Sequence, residues 1–228
     1  MSVSFAGLVL GLLVGIRHAF EPDHLAAVST LVSETRDARR GAVLGAAWGL
    51  GHTLSLLAVG LVLAALGATL PVRLAAAFEL AVAVMLLVLG ARAIVRAVRE
   101  GADGPYHRHS HRGAEHVHAG PPVHVHLGVR PLAWRPLAVG MVHGLAGSGA
   151  LTALVFAELH GTAARVAYIG VFGIGSVAGM AMASGIAGAS LHALAGSRRI
   201  GRGLLLAVGV VSIGVGIAWG IPLVPAVL

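Results

Sequence analysis

Eight consecutive residues, Arg17-His18-Ala19-Phe20-Glu21-Pro22-Asp23-His24, place two imidazoles and two carboxylates inside an otherwise apolar segment, Val3 to Val32. Ionisable side chains at membrane depth are costly, so they default to a functional role. Neutral imidazoles with a carboxylate suit Ni²⁺, Co²⁺, Zn²⁺ or Cu²⁺ better than Mg²⁺ or Ca²⁺, which favour oxygen ligands. The chain has no Cys, which removes thiolate sites and disulfides. No Met adjoins the motif, so Cu(I) is disfavoured as well. Ligand softness alone does not separate nickel from cobalt or zinc.

An unbroken helix could not gather these groups. At ~100° per residue, Asp23 would point ~140° and His24 ~240° away from His18. Pro22 resolves the conflict, because it lacks an N–H and pushes Glu21 out of the α region. The sequence therefore predicts a helix ending near His18, a short break, and a second helix from Pro22 or Asp23. Broken helices of this kind build ion sites in transporters, where freed backbone lines a cavity.

Other ionisable residues join the candidates. His52, in Gly51-His52-Thr53, falls mid-span and is a fourth candidate ligand beside His18, Asp23 and His24. Membrane histidines also serve as plain interhelical hydrogen-bond partners. Glu79, His143 and Glu21 are secondary candidates; Glu79 could be a ligand, a proton carrier or a partner for Arg17. Gly144-Leu145-Ala146-Gly147-Ser148-Gly149 follows His143 and suggests a broken or closely packed helix. Glu158, His160 and His192 fall at or near segment ends, where interfacial roles are expected. Seven more histidines, His107, His109, His111, His116, His118, His124 and His126, crowd one connection rich in Gly and Pro. Such a tract lacks the means to build a core and is expected to be disordered and to bind divalent metal loosely.

The elements that must position these groups are membrane spans. The 228 residues are 57% hydrophobic and 11% charged, with a mean hydropathy of +0.89, the composition of an all-α polytopic membrane protein. A net charge of +7 could suggest nucleic acid, but the arginines form short clusters between apolar segments and not one basic face, so no nucleic-acid partner is expected. The N-terminus lacks a basic n-region and a small-residue cleavage pattern, and reads as a mature first helix. Six apolar segments emerge, at Val3–Val32, Gly41–Leu66, Val72–Val98, Trp134–Leu159, Ala163–Leu194 and Gly203–Ile221. Most of the 16 basic residues, all arginine, cluster on alternate connections. The positive-inside rule then puts both termini outside the cell or inner membrane and the histidine-rich connection in the cytoplasm.

The halves also resemble each other. Val14-Gly15-Ile16-Arg17-His18 matches Val139-Gly140-Met141-Val142-His143, Trp48-Gly49-Leu50-Gly51 matches Phe172-Gly173-Ile174-Gly175, and Leu80–Val84 matches Leu206–Val210 with Gly90 on Gly216. Three matches in order, each half holding an odd number of spans, predict a 3+3 inverted repeat able to support alternating access. The chain then divides into a first repeat over 1–100 carrying the metal motif, a histidine-rich loop over 101–133, and a second repeat over 134–228.

His18-x4-Asp23-His24 resembles the signature of the nickel/cobalt transporter family, and Gly51-His52-Thr53 is similar to that family's second, Gly-His-containing motif. Full-length permeases of the family have eight spans and further acidic motifs in the second half; this chain looks closer to the short six-span, urease-accessory-type members. The resemblance implies that His18, Asp23, His24 and His52 handle Ni²⁺ or Co²⁺ as transported substrate, with no prosthetic group and no catalytic residue. It also implies a cytoplasmic recipient such as a metallochaperone or a urease or hydrogenase maturation protein. The wider group includes effluxers with histidine-rich loops, so direction is open at this stage. Other classes make different demands. A His-x4-Asp acyltransferase needs its pair at an interface, a di-iron enzyme needs more histidine boxes, and a small-anion exporter needs buried cations beyond Arg17. Without a Walker A motif, a secondary carrier is the expected class, not an ATP-hydrolysing enzyme.

Overall fold

A computed structural model describes residues 5–32, 37–102, 107–111, 114–118, 134–159, 161–194 and 198–227. Helix α1 covers Phe5–His18 and α2 covers Pro22–Val32; α3 is Ala38–Leu66 and α4 is Val72–Ala102. After two short strands, β1 (His107–His111) and β2 (Ala114–His118), come α5 (Trp134–Glu158), α6 (Thr162–Leu194) and α7 (Arg198–Gly220). A 3₁₀ turn over Ile221–Leu223 leads to a last short helix, α8, Val224–Val227.

The expected break is present. The α1 helix stops at His18, α2 starts at Pro22, and their axes bend by 57°. Turn hydrogen bonds from Phe20 N–H to the Arg17 carbonyl (2.9 Å) and Glu21 N–H to the His18 carbonyl (3.1 Å) close the first helix. Leu25 N–H to the Glu21 carbonyl (2.9 Å) opens the second. Pro22 takes the first helical position, where its missing N–H costs nothing. Clear punctuation also bounds α3: the Asp37 carboxylate accepts from Arg40 N–H at 2.9 Å, and Gly67 closes the helix at φ 59°. At that C-terminus Ala68 N–H reaches back to the Leu63 carbonyl at 3.1 Å, a left-handed stop that favours glycine.

Among the described residues, α3, α4, α6 and the run Ile200–Val227 are each long and apolar enough to cross a membrane, and the bent α1–α2 pair counts as a fifth if its two helices form one broken span rather than a re-entrant loop. The remaining expected segment is a continuous 25-residue helix, α5, unbroken after His143. Close packing, and not a second break, is what its glycines serve. Large apolar side chains such as Phe5 and Ile174 face outward at 83% and 64% exposure, as a lipid-facing surface requires.

Helix packing follows a paired scheme: α3 lies against α6 and α4 against α7, while α1 lies on α6, α5 on α3, α2 on α7 and α5 on α4. Small residues set the closest approaches. A Cβ on Gly15 would overlap the Phe172 carbonyl, and one on Gly140 would overlap the Trp48 carbonyl. Gly51 meets the Leu137 backbone as Gly175 meets that of Leu12, and Gly90 meets Gly209 as Gly216 meets Ala83. In lipid the hydrophobic drive between helices is weak, so close backbone contact and interhelical hydrogen bonds hold the bundle. Two such bonds are Thr53 Oγ1 donating to the Gly173 carbonyl (3.2 Å) and Ser212 Oγ to that of Leu86 (2.9 Å). The main buried cluster joins Val28 and Val32 of α2, Trp48, Leu86 and Met180.

The expectation of disorder in the histidine-rich connection is corrected over part of its length. Residues His107–His111 and Ala114–His118 pair as an antiparallel hairpin, His107 opposite His118 and His109 opposite His116. The reason was legible: His-x-His-x-His has the period of two that a strand needs. His124, His126 and His160 lie outside the described residues.

Candidate metal centre

Four helices deliver side chains to one point inside the bundle. His18 comes from the last residue of α1, Asp23 and His24 from the first turn of α2, His52 from mid-α3 and His143 from α5. All five line a cavity of about 370 Å³, together with Glu21, Glu79, Trp219 and Phe172. His24, His52 and His143 are essentially inaccessible, at 1%, 0% and 2%, and Asp23 is buried beside them. The break does what the motif predicted: with α2 turned 57° from α1, Asp23 and His24 come round to His18 in spite of their helical phase.

Imidazole ring centroids lie 4.4 Å apart for His18 and His24, 5.1 Å for His18 and His52, 5.5 Å for His24 and His52, and 4.1 Å for His24 and His143. Two sets of three donors have their ligand atoms within 4.8 Å of one another: His18, His24 and His52, and Asp23, His24 and His143. Asp23 is the hub of the second set, with Oδ1 3.1 Å from His24 Nδ1 and Oδ2 2.8 Å from His143 Nε2. At the rim, Glu21 Oε2 lies 3.0 Å from His18 Nδ1. A carboxylate on one ring nitrogen fixes the tautomer and leaves the other nitrogen's lone pair for a metal, the usual outer support of a histidine ligand. Glu21 is placed to give His18 that kind of support.

Unpaired buried nitrogen is the chemical signature of this site. His24 Nε2, His143 Nδ1 and both ring nitrogens of His52 lack hydrogen-bond partners among the described residues. Each unsatisfied buried polar group costs about 1–3 kcal/mol, so a structure tolerates several together only where something else satisfies them. A divalent cation would take one lone pair from each ring it meets; an N–H, such as the second nitrogen of His52, needs an acceptor instead.

The profile of the family described as NicO, high-affinity nickel-transport protein, matches residues 5–227. The chain belongs to the NicO family. It is 34% identical over 173 residues to the urease accessory protein UreH of Bacillus sp. (strain TB-90), a match that covers 76% of this chain and 72% of that relative. No solved structure matches it. A multi-pass membrane protein is the form in which this NicO-family chain exists, and its apolar helices agree with that.

Three residues of this NicO-family site were missed from the sequence as parts of the centre. Trp48 is fully buried, its ring 5.5 Å from that of His24 and 5.6 Å from that of His143. Its spacing of four from His52 on α3, which puts both on one helix face, was the available signal. Phe172 lies with its ring tilted 5.4 Å from that of His18, and Gly147 leaves the space beside His52 and His18 that a Cβ would narrow. Glu79 reaches the cavity wall from α4 but makes no short contact with the imidazoles. Arg17 is exposed at the end of α1, outside the cavity lining.

Proposed function

We propose that this chain carries Ni²⁺ across the membrane, with Co²⁺ as the alternative cargo, bound at His18, Asp23, His24 and His52 and completed by His143. The observation that carries this is the convergence of four imidazoles and one carboxylate on one half-open cavity, three of the imidazoles and the carboxylate buried, with four ring nitrogens unpaired. The NicO match and the name of the UreH relative support nickel as the cargo and a urease-related cytoplasmic recipient for it. Imidazole and carboxylate donors bind Ni²⁺ and Co²⁺ strongly, and one carboxylate leaves the complex with a single net positive charge. Alternating access through a 3+3 inverted repeat, with 134–228 repeating 1–100 in opposite orientation, is the transport mode we infer. The paired close approaches support it, since Gly15 with Phe172 and Gly140 with Trp48 are the same contact made twice. Cytoplasmic placement of the histidine-rich connection, with both termini outside, rests on the arginine distribution. The cross-strand pairs His107/His118 and His109/His116 support loose metal capture there, with His111, His124 and His126 adding to the local supply.

Radioactive nickel uptake into proteoliposomes, with the protein and with its His18→Ala, Asp23→Asn and His24→Ala variants at matched insertion, tests this directly. Uptake that these substitutions abolish is the expected result. Transport near that of the unsubstituted protein in all three would remove the assignment. Removing residues 107–126 should lower uptake only when nickel is scarce.

A further inference from the structure

We propose that the ion is held at two successive positions that share His24: an outer all-imidazole position made by His18, His24 and His52, and an inner position made by Asp23, His24 and His143. This inference rests on the nickel-carrier reading above and divides its single site in two. The donor atoms fall into these two sets, each within 4.8 Å, with His24 the member common to both. His18 marks the outer side: it keeps 17% of its side chain accessible at the cavity, against 11% for Asp23 and 2% for His143, with the shared His24 at 1% and His52 fully buried behind it.

The hydrogen bonds say how His24 can serve both. Its Nδ1 is engaged by Asp23 Oδ1 at 3.1 Å, and its Nε2 is unpaired. A neutral imidazole carries one N–H and one lone pair. With the proton on Nδ1, held by the Asp23 carboxylate, the lone pair on Nε2 belongs to the outer set. His18 is tuned the same way, its Nδ1 on Glu21 and its Nε2 left over, and His52 has both nitrogens unpaired. The outer donors are therefore ready for an ion as the protein stands. The inner donors satisfy one another instead, Asp23 bridging His24 and His143. An ion enters there only by replacing those bonds, with the His24 proton then carried on Nε2 and the His143 proton on Nδ1. One lone pair per ring makes the positions alternatives, so a single ion passes from the neutral outer set to the charged inner one.

Nickel K-edge absorption on full-length protein in nanodiscs, loaded with one equivalent of Ni²⁺, separates the positions. All arms carry the seven loop histidines as Asn so that only buried metal is seen. The expected result is one ion per chain, an imidazole-only shell in Asp23→Asn and His143→Gln, and a mixed carboxylate–imidazole shell in His52→Gln. Both His52→Gln and His143→Gln should bind yet lose transport, and His24→Gln should weaken binding more than about 10-fold. Two ions per chain, or His52→Gln and His143→Gln spectra that each lose one imidazole from a common carboxylate-containing shell, would overturn the proposal. Should a histidine variant fail to fold, the isosteric Asp23→Asn decides alone: retained nickel in an imidazole shell supports two positions, and lost nickel refutes them. Absence of nickel binding and transport in the arm with no pathway substitution is a different failure, that of the carrier reading itself.

Discussion

The α1–α2 pair and helix α5 each bring one histidine to the same cavity, His18 and His143, and each rests on a glycine pressed against a backbone carbonyl, Gly15 on Phe172 and Gly140 on Trp48. Their continuations differ. Where α1 stops and the chain turns 57° into Pro22-Asp23-His24, α5 runs on as one helix through Ser148 and Gly149. Two similar frames have thus been put to different uses. The broken one concentrates ionisable side chains, because the turn brings His18, Asp23 and His24 to one cavity. The intact one contributes His143 and, through Gly144 and Gly147, close approach to the residue His52 that stands between them. A rigid helix is a good wall for a site and a poor way to build one from neighbouring residues.

The sharpest way to break this comparison is to remove the cavity side chains that only the broken frame supplies. Asp23→Asn and His24→Ala should each cut nickel transport by about 100-fold or more, with insertion intact, as measured by radiometal uptake. Straightening the break comes next. Pro22→Ala restores an N–H and removes a helix penalty of about 3 kcal/mol, favouring a continuous helix that swings Asp23 and His24 away from His18. Transport should fall by roughly 10-fold or more, and spin labels placed on α1 and α2 should report a smaller bend.

The likeness of the two frames can be tested through their glycines. Gly15→Ala and Gly140→Ala should each destabilise the protein by about 1–3 kcal/mol, and by similar amounts, since each forces a methyl group into a carbonyl contact. Reversible unfolding in detergent would check this, and a large cost at one glycine with none at the other would mean the frames are not equivalent. The smallest effect is expected at the rim. Glu21→Gln keeps the shape of its side chain but weakens the hold on His18 Nδ1, so nickel affinity should drop about 10-fold with folding unchanged. Isothermal titration of the purified variant would measure it.

Much of this was readable in the order of residues. Membrane class follows from composition, the break from Pro22 after Glu21, and the cavity-lining set His18, Asp23, His24 and His52 from ionisable residues in apolar runs, because such residues are too costly to keep without use. Close packing after His143 was half legible: the glycines announced it, but a Gly-rich run reads equally as a break, and only the neighbouring α3 backbone decides. The hairpin within 107–118 was written as a period of two and obscured by the surrounding Gly and Pro.

What the tertiary structure alone decided is partnership. His143 lies 120 residues from Asp23, and nothing local says that its Nε2 meets Asp23 Oδ2 at 2.8 Å. The same holds for Glu21, which binds the rim histidine and not the buried cluster, and for Trp48, which walls the site from beside His52. Sequence determines which side chains a helix presents and where it must turn, since those are properties of a few adjacent residues. Which nitrogen stays unpaired depends on how four helices cross, and that is set by glycine contacts spread over the whole chain.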